Sequence, residues 1–222
     1  MKKLVSIGFA FMLLACAAGA ANVGTIDNGY PGDTEAQAQM LCGLGLFRGT
    51  ENGFELEKPM TRAEAAAMLT RFLGAEQEAL AGDWSHPFTD VPDWADKYVG
   101  WLYESGLTRG VSETVYGAEE NVTCGQYNTF LARALSTPGS WMSPAEQAEI
   151  NACDAAGFVR GDAVSLSAYL LGQDYIADAD GSGISVAQHL IDRGVLTAEQ
   201  LKQAAWDVLP RRYDYTDAYG DH

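Results

Sequence analysis

The sequence has few basic residues, few histidines and few cysteines. Its 222 residues include 14 Lys and Arg against 30 Asp and Glu, which gives a formal net charge of −16. Nucleic acids and anionic lipid surfaces both require a basic patch, so the composition argues against them as partners. The three histidines form no recognisable catalytic motif, and no pair of cysteines has zinc-ligand spacing. The sequence therefore predicts a noncatalytic protein without a metal or a cofactor.

Cysteines at wide and irregular spacing remain once the N-terminal segment is set aside. They are Cys42, Cys124 and Cys153. An odd number at such spacing is not a disulfide framework. We therefore predict that all three behave as small, buried apolar residues.

The N-terminus carries a short hydrophobic run of the kind found in targeting segments. Lys2 and Lys3 precede the apolar residues 4–15, and Ala18-Gly19-Ala20 is a small-x-small cleavage site. Residues 1–20 are therefore predicted to be a signal peptide of an exported protein. A second interpretation stays open, because residues 13–16 resemble a lipobox in which Cys16 is lipidated and becomes a membrane anchor.

A short motif recurs along the chain. Gly-Leu-Phe-Arg-Gly at 45–49 returns as Gly-Leu-Thr-Arg-Gly at 106–110 and as Gly-Phe-Val-Arg-Gly at 157–161. A period of about fifty to sixty residues indicates a repeated supersecondary unit. Each unit is interpreted as helix, loop and helix, over residues 28–76, 86–136 and, in degenerate form, 141–209. Residues 210–222 are predicted to form a loose tail, and the fold class is all-α.

The repeat pattern also predicts the position of one arginine and the apolar face of one helix. The motif places Arg160 in a Gly-flanked turn after a helix, as the counterpart of Arg48 and Arg109. In the second unit, one helical stripe is predicted to contain Trp94, Tyr98, Trp101 and Leu102.

The stretch Thr61-Arg62-Ala63-Glu64 has the pattern of a helix start. Thr61 can cap the helix, and Glu64 can reach back to the Thr61 backbone N–H in a capping box. Arg62 has no such local explanation, because a cation faces the positive end of the helix dipole there. It is useful if an anion also binds at this point, whereas an ion pair with a surface acid is the simpler alternative.

Two motifs now indicate a family. Phe-Thr-Asp-Val-Pro at 88–92, followed by Trp94-Ala95, resembles the opening of an S-layer homology repeat. Thr-Arg-Ala-Glu at 61–64 resembles the closing motif of the same repeat. The resemblance covers roughly residues 28–165. It implies three repeats in a pseudo-three-fold bundle, with grooves that bind pyruvylated, peptidoglycan-linked polysaccharide and anchor exported proteins to the bacterial cell wall.

The resemblance also implies site residues. A pyruvyl ketal carries a carboxylate that Arg62 could hold, with Thr61 and Glu64 organising the helix start. Trp94 could pack on a sugar face, whereas core packing is the favoured role of Trp101. The candidate ligand contacts are Arg62, Trp94, Asp90 and Arg160.

The sequence departs from the family pattern, and other functions stay open. Cys124 replaces the arginine of the closing motif in the second unit, and no such motif follows Gly161 in the third. Degenerate grooves could bind a protein partner at the cell surface instead of a glycan. A wall hydrolase ranks last. Each alternative places the protein outside the cell, in the bacterial wall or at the cell surface.

Overall fold

The computed structural model of this protein describes residues 33–134, 157–171, 174–175 and 184–205. Eight α-helices occur in these ranges, and the predicted all-α fold is confirmed. They are α1 Thr34–Gly43, α2 Arg62–Phe72, α3 Glu76–Ala81, α4 Asp93–Glu104, α5 Cys124–Ala134, α6 Arg160–Leu171, α7 Val186–Asp192 and α8 Ala198–Ala205. A two-residue antiparallel pair joins β1, Asp174–Tyr175, to β2, Ile184–Ser185. Within the described ranges, no helix has the length and apolarity needed to cross a bilayer.

Several predictions fall outside these residues. They are the signal peptide at 1–20, lipidation of Cys16, the burial of Cys153 and the loose tail at 210–222.

The first two units share one turn geometry. Gly45, two residues after α1, has φ +76°, and Gly106, two residues after α4, has φ +74°, a backbone conformation that favours glycine. After Gly45, two successive backbone N–H groups donate to the Leu41 carbonyl at 2.9 and 3.2 Å. After Gly106, the same pair donates to the Leu102 carbonyl at 2.9 and 3.3 Å. The predicted equivalence of these two turns is confirmed.

The third copy of the motif is different, because Arg160 was predicted in a turn and is instead the first residue of α6. The helix predicted before Gly157 lies outside the described residues. The Asp162 carboxylate accepts the Val159 N–H at 2.9 Å, as Glu64 accepts the Thr61 N–H at 2.9 Å. Val159–Asp162 is therefore the counterpart of Thr61–Glu64. The long loop that separates turn from helix start in the other units is absent here, so the two features overlap in sequence.

The core is built around α2 and α6. Nine of the eleven residues of α2 and eleven of the twelve residues of α6 are buried. The alanines and serines in these helices let neighbouring helices approach closely, with α4 packed on α2 and α1 packed on α6. The two helices therefore place their N-terminal residues in the interior, which decides the environment of Arg62 and Arg160.

The predicted apolar stripe of α4 is wrong at its first residue. The buried side of this helix consists of Ala95, Tyr98, Val99 and Leu102, and Trp101 packs against it in part. Trp94 is 52% exposed. The stripe begins one residue later than predicted, because spacings of three and four residues are equally compatible with a helical face.

The prediction for the cysteines is half right within the described residues. Cys124 is a buried cysteine outside any disulfide, whereas Cys42 takes part in a disulfide. Wide spacing conceals such a bond, because pairing depends on tertiary distance and not on sequence distance.

Candidate functional site

The start of α2 has the local structure that its sequence predicts. The Thr61 hydroxyl accepts the Glu64 N–H at 3.2 Å, and the Glu64 carboxylate accepts the Thr61 N–H at 2.9 Å. This reciprocal capping box is confirmed, and it contributes on the order of 1 kcal/mol. It fixes the direction in which the next side chain, Arg62, leaves the helix.

Arg62 lies in the interior, with 5% of its surface exposed. Its Nε donates to the Tyr116 carbonyl at 3.0 Å, and its guanidinium carbon lies 5.0 Å from the Tyr116 ring centroid and 5.3 Å from that of Phe130. Its Nη1 lies 3.5 Å from Gln126 Oε1, a weak hydrogen bond. Arg62 therefore joins the start of α2 to the loop and second helix of the next unit.

Arg160 has the same arrangement at the start of α6. Its Nε donates to the Phe54 carbonyl at 3.0 Å, and its guanidinium lies 5.3 Å from the Phe47 ring centroid. Its Nη1 pairs with Glu64 Oε1 at 3.0 Å, and its Nη2 donates to the Arg48 carbonyl at 3.2 Å. Arg160 thus joins α6 to the first unit. This link between α6 and the first unit was not predicted from the sequence, although both helix starts have an arginine two residues before an acid.

Asp90 organises the loop that Arg62 contacts. Its carboxylate accepts the N–H groups of Tyr116 at 2.7 Å, Gly117 at 2.7 Å and Ala118 at 3.2 Å. Burial works to raise the pKa of Asp90, but these three backbone hydrogen bonds outweigh it and hold the pKa below 3.8. Both carboxylate oxygens already have donors, so the contacts give Asp90 a supporting role in the site. Its predicted direct contact with a ligand stays a prediction.

We expect Asp90→Asn to lower the free energy of unfolding by about 1–2 kcal/mol at pH 7, because an amide replaces one acceptor with a donor. Because the folded pKa is depressed, the stability contributed by Asp90 is present above its unfolded pKa. It is lost as pH falls below about 4 through the folded value. Urea unfolding at pH 7 and pH 3 tests this: the difference in stability between the variant and the wild type should be smaller at pH 3 than at pH 7. An equal difference at both pH values would contradict this role.

An open cleft of about 740 Å³ lies beside the C-terminal end of α4. Sequence reasoning did not identify it. The Tyr103 ring stands edge-on to Phe88, with centroids 5.3 Å apart and planes at 84°, which fixes one wall. The lining residues are Pro87, Tyr103, Glu104, Gly106, Thr108, Arg109 and Glu113.

The structure brings some of the predicted site residues together and leaves one apart. Arg62 and Asp90 both bind the backbone of Tyr116: Arg62 donates to its carbonyl, and the Tyr116 N–H donates to Asp90. Arg160 and Glu64 form an ion pair. Trp94 forms no hydrogen bond, ion pair or ring contact with these residues in the described ranges. No group of three or more possible metal ligands occurs in that part of the chain either.

Comparison with known proteins gives a family match and several relatives. Residues 87–127 match the family model of the S-layer homology domain. The chain is 32% identical to the "Middle cell wall protein" of Brevibacillus brevis over 116 residues, which are 49% of this chain and 11% of that protein. It is 32% identical to a "Surface layer protein" of Brevibacillus choshinensis over 114 residues, 48% of this chain and 10% of the relative.

A third relative is named as an enzyme. It is an "Endoglucanase" of a Bacillus species, 34% identical over 113 residues, which are 50% of this chain and 12% of that protein. The matched part of this chain thus spans about a tenth of the length of each of these three relatives. The resemblance noted in the sequence is confirmed for residues 87–127.

Proposed function

We propose that this chain, which carries an S-layer homology domain over residues 87–127, is an exported, noncatalytic module that binds an acidic polysaccharide linked to peptidoglycan. Binding would anchor it to the bacterial cell wall, with pyruvylated sugars as the ligand class. The names of the two Brevibacillus relatives place those proteins in the cell wall and the surface layer, which supports the same location for this chain.

One observation carries the proposal: every residue that lines the cleft lies within the matched segment 87–127. The cleft is large enough for one or two sugar units, since ligand sites are commonly about 300–1,000 Å³. It offers an aromatic ring at Tyr103, a donor at Arg109 and acceptors at Glu104 and Glu113. This mixture suits a hydroxyl-rich ligand that also carries a charged group.

The predicted site residues take different parts in this proposal. Trp94 is the exposed aromatic that can stack on a sugar face. Arg62, Asp90 and Arg160 hold the helix starts and the 116–118 loop in place, with Thr61 and Glu64 as capping residues. Their contacts shape the surface on which the ligand lies.

Purified wall sacculi of Brevibacillus brevis provide the test of this proposal. We expect the protein to be retained on intact sacculi and released when the attached polysaccharide has been stripped by acid. Retention on stripped sacculi would contradict the glycan as ligand. Release of soluble sugar from the sacculi would instead support the hydrolase. The endoglucanase relative does not by itself support a hydrolase, because the alignment covers only 12% of that protein.

Trp94→Ala should weaken retention about fivefold, the factor that corresponds to about 1 kcal/mol of aromatic packing. Trp94→Phe keeps a ring at this position and is the matched control, with retention closer to the wild type. Binding isotherms on sacculi measure both variants. Equal retention of Trp94→Ala and the wild type would remove Trp94 from the site.

A protein partner is the second candidate, and exposed apolar side chains favour it. Val111 is 51% exposed and Val115 is 36% exposed, both in the loop beside the cleft. Such side chains are common at protein interfaces when they are contiguous. Retention on wall fractions that survives removal of the polysaccharide but not protease treatment would favour this candidate.

A further inference from the structure

The arginines of the two equivalent glycine turns differ in whether they are paired with an acid. In the first unit, Arg48 Nη2 pairs with Glu76 Oε2 at 2.5 Å. The other oxygen of Glu76 accepts Arg71 Nε at 2.8 Å and the Tyr98 hydroxyl at 3.0 Å. Arg48 is therefore neutralised within the chain, in a network that also joins α2, α3 and α4.

In the second unit, Arg109 occupies the corresponding position and is exposed. It has no ion pair or hydrogen bond with any residue in the described part of the chain. In the sequence, the 62-residue offset from Arg71 to Arg133 aligns Glu76 with Pro138. No Asp or Glu occurs from Asn121 to Ala145, so this stretch has no counterpart of Glu76.

The two acids that line the cleft with Arg109, Glu104 and Glu113, form no ion pair with it. Glu104 Oε1 accepts the Ser85 N–H at 2.8 Å and the Ser85 hydroxyl at 3.2 Å. Glu113 is exposed and forms no ion pair with Arg109. Among the residues that the structure describes, Arg109 is thus the one cation that lines the cleft. A guanidinium fork beside an aromatic wall is well suited to a carboxylate on a sugar ring.

We propose that Arg109 receives the carboxylate of an acidic wall sugar in this cleft. The first unit has no equivalent contact, because Glu76 already holds Arg48. This inference rests on the proposed function and adds to it the residue that holds the carboxylate of the ligand.

The experiment combines sacculi binding with two small competitors. They are a methyl glycoside that carries a pyruvate ketal and the methyl ester of the same compound, which lacks the negative charge. We expect the acid to release the wild type from sacculi at a concentration at least tenfold lower than the ester. Arg109→Gln should weaken retention at least tenfold, and the acid and the ester should then compete equally poorly.

Two variants with the same change of charge serve as controls. Arg48→Gln alters the paired arginine of the first turn, and Arg193→Gln alters an exposed arginine at the end of α7. Both should bind sacculi within twofold of the wild type, with thermal unfolding as the check on folding. If Arg109→Gln binds like the wild type, or Arg48→Gln loses as much, the inference is overturned while wall binding stands. Failure of the wild type itself to bind would overturn both.

Discussion

Arg62→Ala is expected to lower the free energy of unfolding by about 2–4 kcal/mol. The substitution leaves the Tyr116 carbonyl without its donor, and a buried acceptor without a partner costs about 1–3 kcal/mol. It also removes the side chain that fills the space between the rings of Tyr116 and Phe130. Because the same arginine was predicted from sequence to hold a ligand carboxylate, its substitution separates a structural role from a binding role.

Urea unfolding of Arg62→Ala and Arg62→Lys measures this effect. Lysine retains the positive charge and the apolar stem but not the planar fork, so it should recover only part of the lost stability. Arg109→Ala is the matched control, since an exposed arginine should change the free energy of unfolding by less than about 0.5 kcal/mol. Wild-type stability of Arg62→Ala together with lost sacculi binding would instead make Arg62 a direct ligand contact. Unchanged binding in a folded Arg62→Ala protein would remove it from the site.

Local structure was the most predictable part of the molecule. The capping box of Thr61 and Glu64 depends on residues three positions apart, so a single sequence contains all of its determinants. The turns at Gly45 and Gly106 are also local, because one glycine with positive φ ends each helix. The helix starts at Ser185 and Thr197 are local in the same way, because their hydroxyls accept the N–H groups of Gln188 and Gln200.

Tertiary environment was less predictable. Nothing within residues 59–74 shows that Arg62 is buried, because its contacts come from residues more than fifty positions later. In the third unit, the loop between the glycine turn and the helix start is missing, so the two features share residues. The repeated motif therefore aligned Arg160 with the turn arginines, whereas in the structure it corresponds to Arg62. The cleft was missed because its walls join Pro87, before α4, to the end of that helix and the loop after it, and this arrangement depends on the fold.

The large excess of acid explains why an unpaired arginine is informative. Most arginines in the described core are committed to internal contacts: Arg48 and Arg71 with Glu76, Arg160 with Glu64, and Arg62 with a carbonyl. Arg109 forms no ion pair within the described residues, although the chain has a net charge of −16 and two acids line the same cleft. Such a side chain retains its capacity to bind an external anion, which is the basis of the role proposed for Arg109.

Cys42→Ala is expected to lower the free energy of unfolding by about 2–5 kcal/mol, because a disulfide restricts the unfolded chain. Cys42 lies in α1, which packs on the buried helix α6, so the loss should destabilise the core and not only a terminus. A disulfide also fits an exported protein, since such bonds persist in oxidising compartments and are rare in the cytosol.

Thermal unfolding with and without dithiothreitol distinguishes the disulfide from simple packing at Cys42. The reductant should lower the melting temperature of the wild type and leave that of Cys42→Ala unchanged, because the variant has no bond at this position to reduce. Cys124→Ala is the matched control: it removes a buried thiol that is not part of a disulfide, so it should lose about 1 kcal/mol of packing and respond to the reductant like the wild type. If the wild type and Cys42→Ala respond equally to dithiothreitol, the stabilising bond does not involve Cys42.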